Sequence, residues 1–103
     1  MQQTLKEVLQ DKFRSVTTCN NFYLNREDVS IGDIYAVFVE GTNFTDYEED
    51  SGKENFVVYE FNRGEETVLV KFIGTYWSYD GNKFEEWMFV KAQPVSTIQY
   101  VKE

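Results

Sequence analysis

The chain has 103 residues, with 18 carboxylates against 10 lysines and arginines, no histidine and a single cysteine. A chain of that length makes one domain with one core, burying about two-thirds of the surface that its unfolded form exposes. The net charge of −8 works against direct binding of nucleic-acid phosphate or of an anionic membrane, since both rely on Lys and Arg.

Apolar residues at 42% and aromatics at 17% exclude a disordered chain, because rings bring large burial areas. No apolar run approaches the ~20 residues that span a bilayer. The opening "MQQTLKEVLQDKF" is charged throughout and does not read as a signal peptide. Cys19 has no intrachain partner for a disulfide and fits a reducing compartment. The expectation is a soluble cytoplasmic protein.

Residues 3–15 carry helical spacing. Leu5, Val8, Leu9 and Phe13 recur on one face, charged and polar residues fill the other, and Thr4 with Glu7 forms a capping-box pair. From Ser15 the pattern breaks, and the β-branched and aromatic residues of 16–18 and 22–24 predict short strands. "DIYAVFVEG" (33–41) predicts a strand that is apolar on both faces and therefore central in its sheet. Residues 41–54 turn polar and form the longest loop. "NFVVYEF" and "ETVLVKFIGTYW", joined by "NRGE", predict a hairpin whose glycine suits a short turn. "SYDGNKF" turns the chain into "EEWMFVKA", and "STIQYV" closes the sheet after Pro94.

The predicted fold is α+β: one N-terminal amphipathic helix packed on a twisted antiparallel sheet of four to five strands, in a single domain covering 1–103. Val68, Val70 and Phe72 would share a face with Tyr76, and Leu69, Ile73 and Trp77 the opposite one. One helix covers one face, so the second needs loops, curling of the sheet or a partner.

Without histidine, the usual zinc sites and Ser-His or Cys-His catalysis are excluded, and no phosphate-binding glycine loop occurs. Asp46, Glu48 and Asp50 alternate as in an EF-hand, but the required glycine is displaced to Gly52 and the twelfth position is Val57. Glu85 and Glu86 fail as an acid–base pair, because neighbours on a regular strand point to opposite faces. "NFT" at 43–45 matches a glycosylation acceptor, and Cys19 reads as a small buried residue. Neither an enzyme, a cofactor nor a metal is expected.

A protein-binding surface is the better candidate. Asp46, Tyr47, Glu48, Glu49 and Asp50 cluster in the long loop, and Tyr79 ends the 76–79 ring cluster that Asp80, Glu85 and Glu86 follow. Rings supply desolvated contact area and carboxylates supply steering, which suits a partner with a basic surface. Within "YWSYDGNKFEEW", Trp77 and Trp87 read as packing rings, and Tyr79 as the exposed one.

Phe72, Gly74, Tyr76, Ser78, Tyr79, Gly81, Phe89, Val90 and Pro94 together form a pattern that resembles small accessory proteins of tailed bacteriophages. It covers roughly the last third of the chain and departs from that pattern at Ala92 and Gln93. The resemblance implies a protein acting inside the host cell to inhibit or modulate a host protein, such as a nucleic-acid-binding or defence factor, and carries over no catalytic residue. The alternative is a self-associating homodimer or a small-ligand-binding domain using the second sheet face.

Overall fold

The computed structural model describes residues 3–42, 52–77, 81–93 and 99–102. Two helices, α1 (Leu5–Lys12) and α2 (Val16–Asn25), precede six strands: β1 (Val29–Ile31), β2 (Ile34–Gly41), β3 (Glu54–Arg63), β4 (Glu66–Trp77), β5 (Gly81–Gln93) and β6 (Gln99–Lys102). The strands form one antiparallel sheet in chain order, each paired with its sequence neighbours. The architecture is α+β with the helices at the N-terminus, as expected, but with a second helix and more strands.

Helix α1 starts as its sequence dictates. Thr4 Oγ1 accepts from the Glu7 amide at 3.2 Å and Glu7 Oε1 accepts from the Thr4 amide at 3.3 Å, so two N–H groups with no helical partner are satisfied reciprocally. A third, the Leu5 amide, donates to Glu66 Oε2 at 2.8 Å, and Arg63 reaches Gln3 O while pairing with Glu66 at 2.7 Å. The β3–β4 turn therefore anchors the start of the helix. These bonds hold the Glu66 carboxyl below the usual carboxylate range, the Leu5 amide contributing most and Arg63 next.

The short strands expected at 16–18 and 22–24 are instead helix α2. Ser15 caps it, accepting from the Thr18 amide at 3.4 Å, and Cys19, Phe22 and Tyr23 form its buried face at helical spacing. Val16 and Leu24 lie 64% and 52% exposed on the other side. Two apolar residues on the wet face blurred the helical period, and tertiary packing outweighed the strand preference of Val-Thr-Thr.

Under the helices lies a ring cluster. Phe13 meets Phe22, Phe61, Phe72 and Trp87 edge-on at 5.2–5.9 Å between centroids, and Phe22 stacks on Phe72 at 5.7 Å. Leu5, Leu9, Val57, Tyr59 and Val70 complete this core. Cys19 is buried there as expected; its Sγ donates to Phe13 O at 3.4 Å, and burial pushes the thiol pKa up to about 11.

Register sorts the sheet residues onto two faces. Val70 pairs with Tyr59 and Phe89, and Phe72 with Val57 and Trp87, all on the helix side. On the other side Val58 is fully buried, Ile73 and Val90 nearly so, and the Lys71 ammonium sits 4.8 Å from the centre of the Phe56 ring. Strand β2 is second from the edge rather than central: β1 pairs only with its first three residues, and Tyr35 is half-exposed.

Topology defines two ends of the sheet. At one, the hairpins β1–β2 and β3–β4 close through Gly32-Asp33 and Gly64-Glu65, each with a glycine at φ +60° as its first turn residue. The β2–β3 and β4–β5 connections leave from the opposite end, which we call the loop end.

Candidate partner-binding surface

At the loop end, the roots of the long β2–β3 connection are clamped. Thr42 exchanges two hydrogen bonds with Phe56, its amide donating to Phe56 O and its hydroxyl accepting from the Phe56 amide, both at 3.0 Å. On the far side Gly52 donates to Tyr76 O at 2.6 Å and Tyr76 donates to Lys53 O at 3.0 Å. Thus the strands carry backbone pairing right up to the acidic loop.

Arg26 ties helix α2 to this clamp. It caps the helix in the left-handed conformation, φ 55° and ψ 40°, which costs a side-chain-bearing residue ~1–2 kcal/mol. Its guanidinium donates to Thr42 O at 2.8 Å and to Asn55 Oδ1 at 2.7 Å, Asn55 being fully buried. Gly41 leaves room for the guanidinium, since a Cβ there would lie 3.2 Å from Nη1. Two charge-assisted bonds, one of them to a buried side chain, outweigh the backbone strain.

The β4–β5 side is shaped by a bulge. Ile73 pairs with Glu86 and Gly74 with Phe84, which leaves Glu85 as the extra residue. Phe84 and Trp87 both face the helices, Phe84 against Tyr23 and Trp87 against Phe13, so the two glutamates between them break the alternation. Glu85 accepts from Thr75 Oγ1 at 3.0 Å and Glu86 lies opposite Ile73, both on the face away from the helices, and both exposed. The expectation that they point to opposite faces is therefore corrected: the extra residue brings both carboxylates to one side.

Gly74 makes the bulge possible. A Cβ at this position would lie 2.0 Å from Lys83 O and 2.6 Å from the Tyr23 hydroxyl. The Tyr23 side chain is fully buried, and its oxygen has no hydrogen-bond partner. Desolvation raises its pKa, and the neighbouring Asn55 side chain and then the Arg26 charge offset this in part.

Of the nine residues expected at the surface, Asp46, Tyr47, Glu48, Glu49, Asp50, Tyr79 and Asp80 lie outside the described residues. The strands that bear them are described, and they bring both segments to the same end of the sheet. Residues 40–54 and 78–86 hold nine of the chain's 18 carboxylates but only two of its ten basic residues, Lys53 and Lys83. Trp87 packs as expected, 5.1 Å from Phe89 and 5.2 Å from Phe13. The Trp77 side chain lies outside the described set.

Sequence reasoning did not find Arg26, Asn55 or Gly74. An arginine three residues after a buried tyrosine carries no local signal of a left-handed cap, and Gly74 was read only as part of a motif.

Among the described residues, no three His, Cys, Asp or Glu side chains gather in a way that could hold a metal ion, and no helix is long and apolar enough to cross a membrane. The grooves lined by described residues include one of about 400 Å³ between α2 and β1 and one of about 280 Å³ beside Gln10, Trp87 and Lys102. No family model matches the chain, and neither a curated protein nor a solved structure matches it.

Proposed function

We propose that the chain is a small acidic binding module of the phage-accessory type, which acts inside a host cell by occupying the basic surface of a host protein. Binding, not catalysis, is the activity, and inhibition follows from denying that surface to its normal partner. A nucleic-acid-binding or defence protein fits best, because carboxylates on a rigid support can occupy positions otherwise taken by phosphates.

The observation that supports this reading is the gathering of both acidic segments at the loop end, with nine carboxylates against two lysines in 40–54 and 78–86. Charge of one sign on one end of a small domain steers a basic partner and fixes its orientation. The bulge adds Glu85 and Glu86 on a common face, and the Thr42–Phe56 and Gly52–Tyr76 bonds hold the loop's roots. The phage attribution rests on the pattern in the last third of the sequence.

The test is affinity capture from a bacterial lysate at low and high salt. Wild type is compared with a Glu48→Lys, Glu49→Lys, Asp50→Lys variant. A specific partner that is lost at high salt and lost with the variant supports the reading. A partner retained by the variant at both salt concentrations, or none at all, refutes it.

A further inference from the structure

Strand β1 is an edge, and helix α2 runs beside it. The groove between them is lined by Thr18, Asn21, Phe22 and Asn25 from the helix and by Val29 and Ile31 from the strand, with a volume of about 400 Å³. Its floor is apolar: Phe22 is buried, and Val29 and Ile31 are half-buried. Asn21 and Asn25, one helical turn apart and both exposed, supply the rim with amides that donate and accept.

Among the described residues, no strand pairs with the outer side of β1. In a two-residue hairpin the residues flanking the turn are hydrogen-bonded to each other, and such pairs alternate along the ladder. Ile31↔Ile34 is the flanking pair, so Ile31 and Val29 direct their backbone groups to β2 and Ser30 directs its N–H and C=O outward. An extended segment laid along β1 would bond to Ser30 and put alternate side chains over Phe22, Val29 and Ile31, which is the geometry of strand addition.

Charge decides between occupants. Glu27 and Asp28 stand exposed at one end of β1 and Asp33 at the other, and the arginines adjoining the two ends are engaged elsewhere, Arg26 with Thr42 and Asn55 and Arg63 with Glu66. A second copy pairing edge to edge in the antiparallel sense would bring Asp33 of one chain towards Glu27 and Asp28 of the other, and like charges across a strand pair are destabilising. A segment with lysine or arginine at both ends meets opposite charge at both.

We propose that the α2–β1 groove binds an extended segment of a partner protein, apolar at alternate positions and flanked by basic residues, as a seventh strand on β1. This site is separate from the loop end and stands whether or not the loop end binds anything.

The test uses the full chain and a synthetic peptide, acetyl-Lys-Val-Thr-Val-Thr-Lys-amide, followed by amide NMR and hydrogen exchange. The expected result is shifts confined to Thr18, Asn21, Phe22, Asn25 and the strand Val29–Ile31, with exchange at the Ser30 amide slowed at least tenfold. Ser30→Pro removes only the outward donor and leaves the β1–β2 ladder intact, so it should weaken the peptide at least tenfold while Ser30→Thr does not. If Ser30→Pro fails to fold, Glu27→Gln with Asp33→Asn should weaken the peptide several-fold at low salt.

Equal binding of a glutamate-flanked peptide overturns the proposal, as do shifts elsewhere on the protein. Concentration-dependent protection of Ser30 without peptide would show a second copy on the edge, and concentration-independent protection a segment of the same chain; either result overturns it too. Loss of lysate capture by the loop variant with peptide binding intact would separate this site from the loop-end surface.

Discussion

Gly74→Ala puts the geometry of the loop end under the most direct strain. The new methyl carbon would lie 2.0 Å from Lys83 O, 2.8 Å from its carbonyl carbon and 2.6 Å from the Tyr23 hydroxyl, against the roughly 3.5 Å of ordinary contact. Two of those three atoms are backbone, so no rotamer change relieves them, and β5 must move at its bulge. Overpacking by one carbon in a closed site costs about 1–3 kcal/mol, and with backbone as the obstacle the upper half of that range applies. For a chain of this size about 2–3 kcal/mol corresponds to a fall in Tm of roughly 10–20 °C, measurable by thermal circular dichroism. Tyr23→Phe is the control: removing an unpartnered buried hydroxyl should be neutral or stabilising, and in the double variant it should restore little, because the Lys83 carbonyl still stands in the way. A Gly74→Ala protein within 3 °C of wild type would refute this account of the bulge, and with it the shared face of Glu85 and Glu86.

Arg26→Ala leaves Thr42 O and the buried Asn55 Oδ1 without their donor and should lower urea stability by about 2–4 kcal/mol; Arg26→Gly should lose less, because glycine relieves the left-handed strain. Cys19, Tyr23 and Tyr59 all have pKa values raised chiefly by desolvation, so the folded state holds their protons more tightly than the unfolded one. Their contribution is complete below pH 9 and is lost as pH rises through 9–11 for Cys19 and above 10 for the tyrosines. Urea midpoints should fall over that range, and Cys19→Ala should flatten the part starting near pH 9. Glu66 has the opposite sign: its lowered pKa means stability lost as pH falls through the acid range, a loss that Glu66→Gln should reduce.

Much of the fold was legible because its signals are local. The capping box at Thr4 and Glu7 and the spacing of Leu5, Leu9 and Phe13 defined α1, and the glycine of "NRGE" placed the β3–β4 turn. Helix α2 was missed because its exposed residues include Val16 and Leu24, although Ser15 before Cys19, Phe22 and Tyr23 was a usable sign. The bulge at Glu85 was illegible, since it depends on the missing side chain of Gly74, a residue on another strand, and on Tyr23 packing above it. The acidic segments were visible as composition, but their common end of the sheet follows from strand order alone.

The claim that the loop end is the binding surface meets its most direct test in the salt dependence of affinity for the captured partner. Titration calorimetry from low to high salt should show a steep loss of affinity for wild type. That slope should flatten, and low-salt affinity fall at least tenfold, in the Glu48→Lys, Glu49→Lys, Asp50→Lys variant. Glu65→Lys, at the opposite end of the sheet, should behave as wild type. Equal effects from the two variants, or affinity indifferent to both salt and charge reversal, would contradict it.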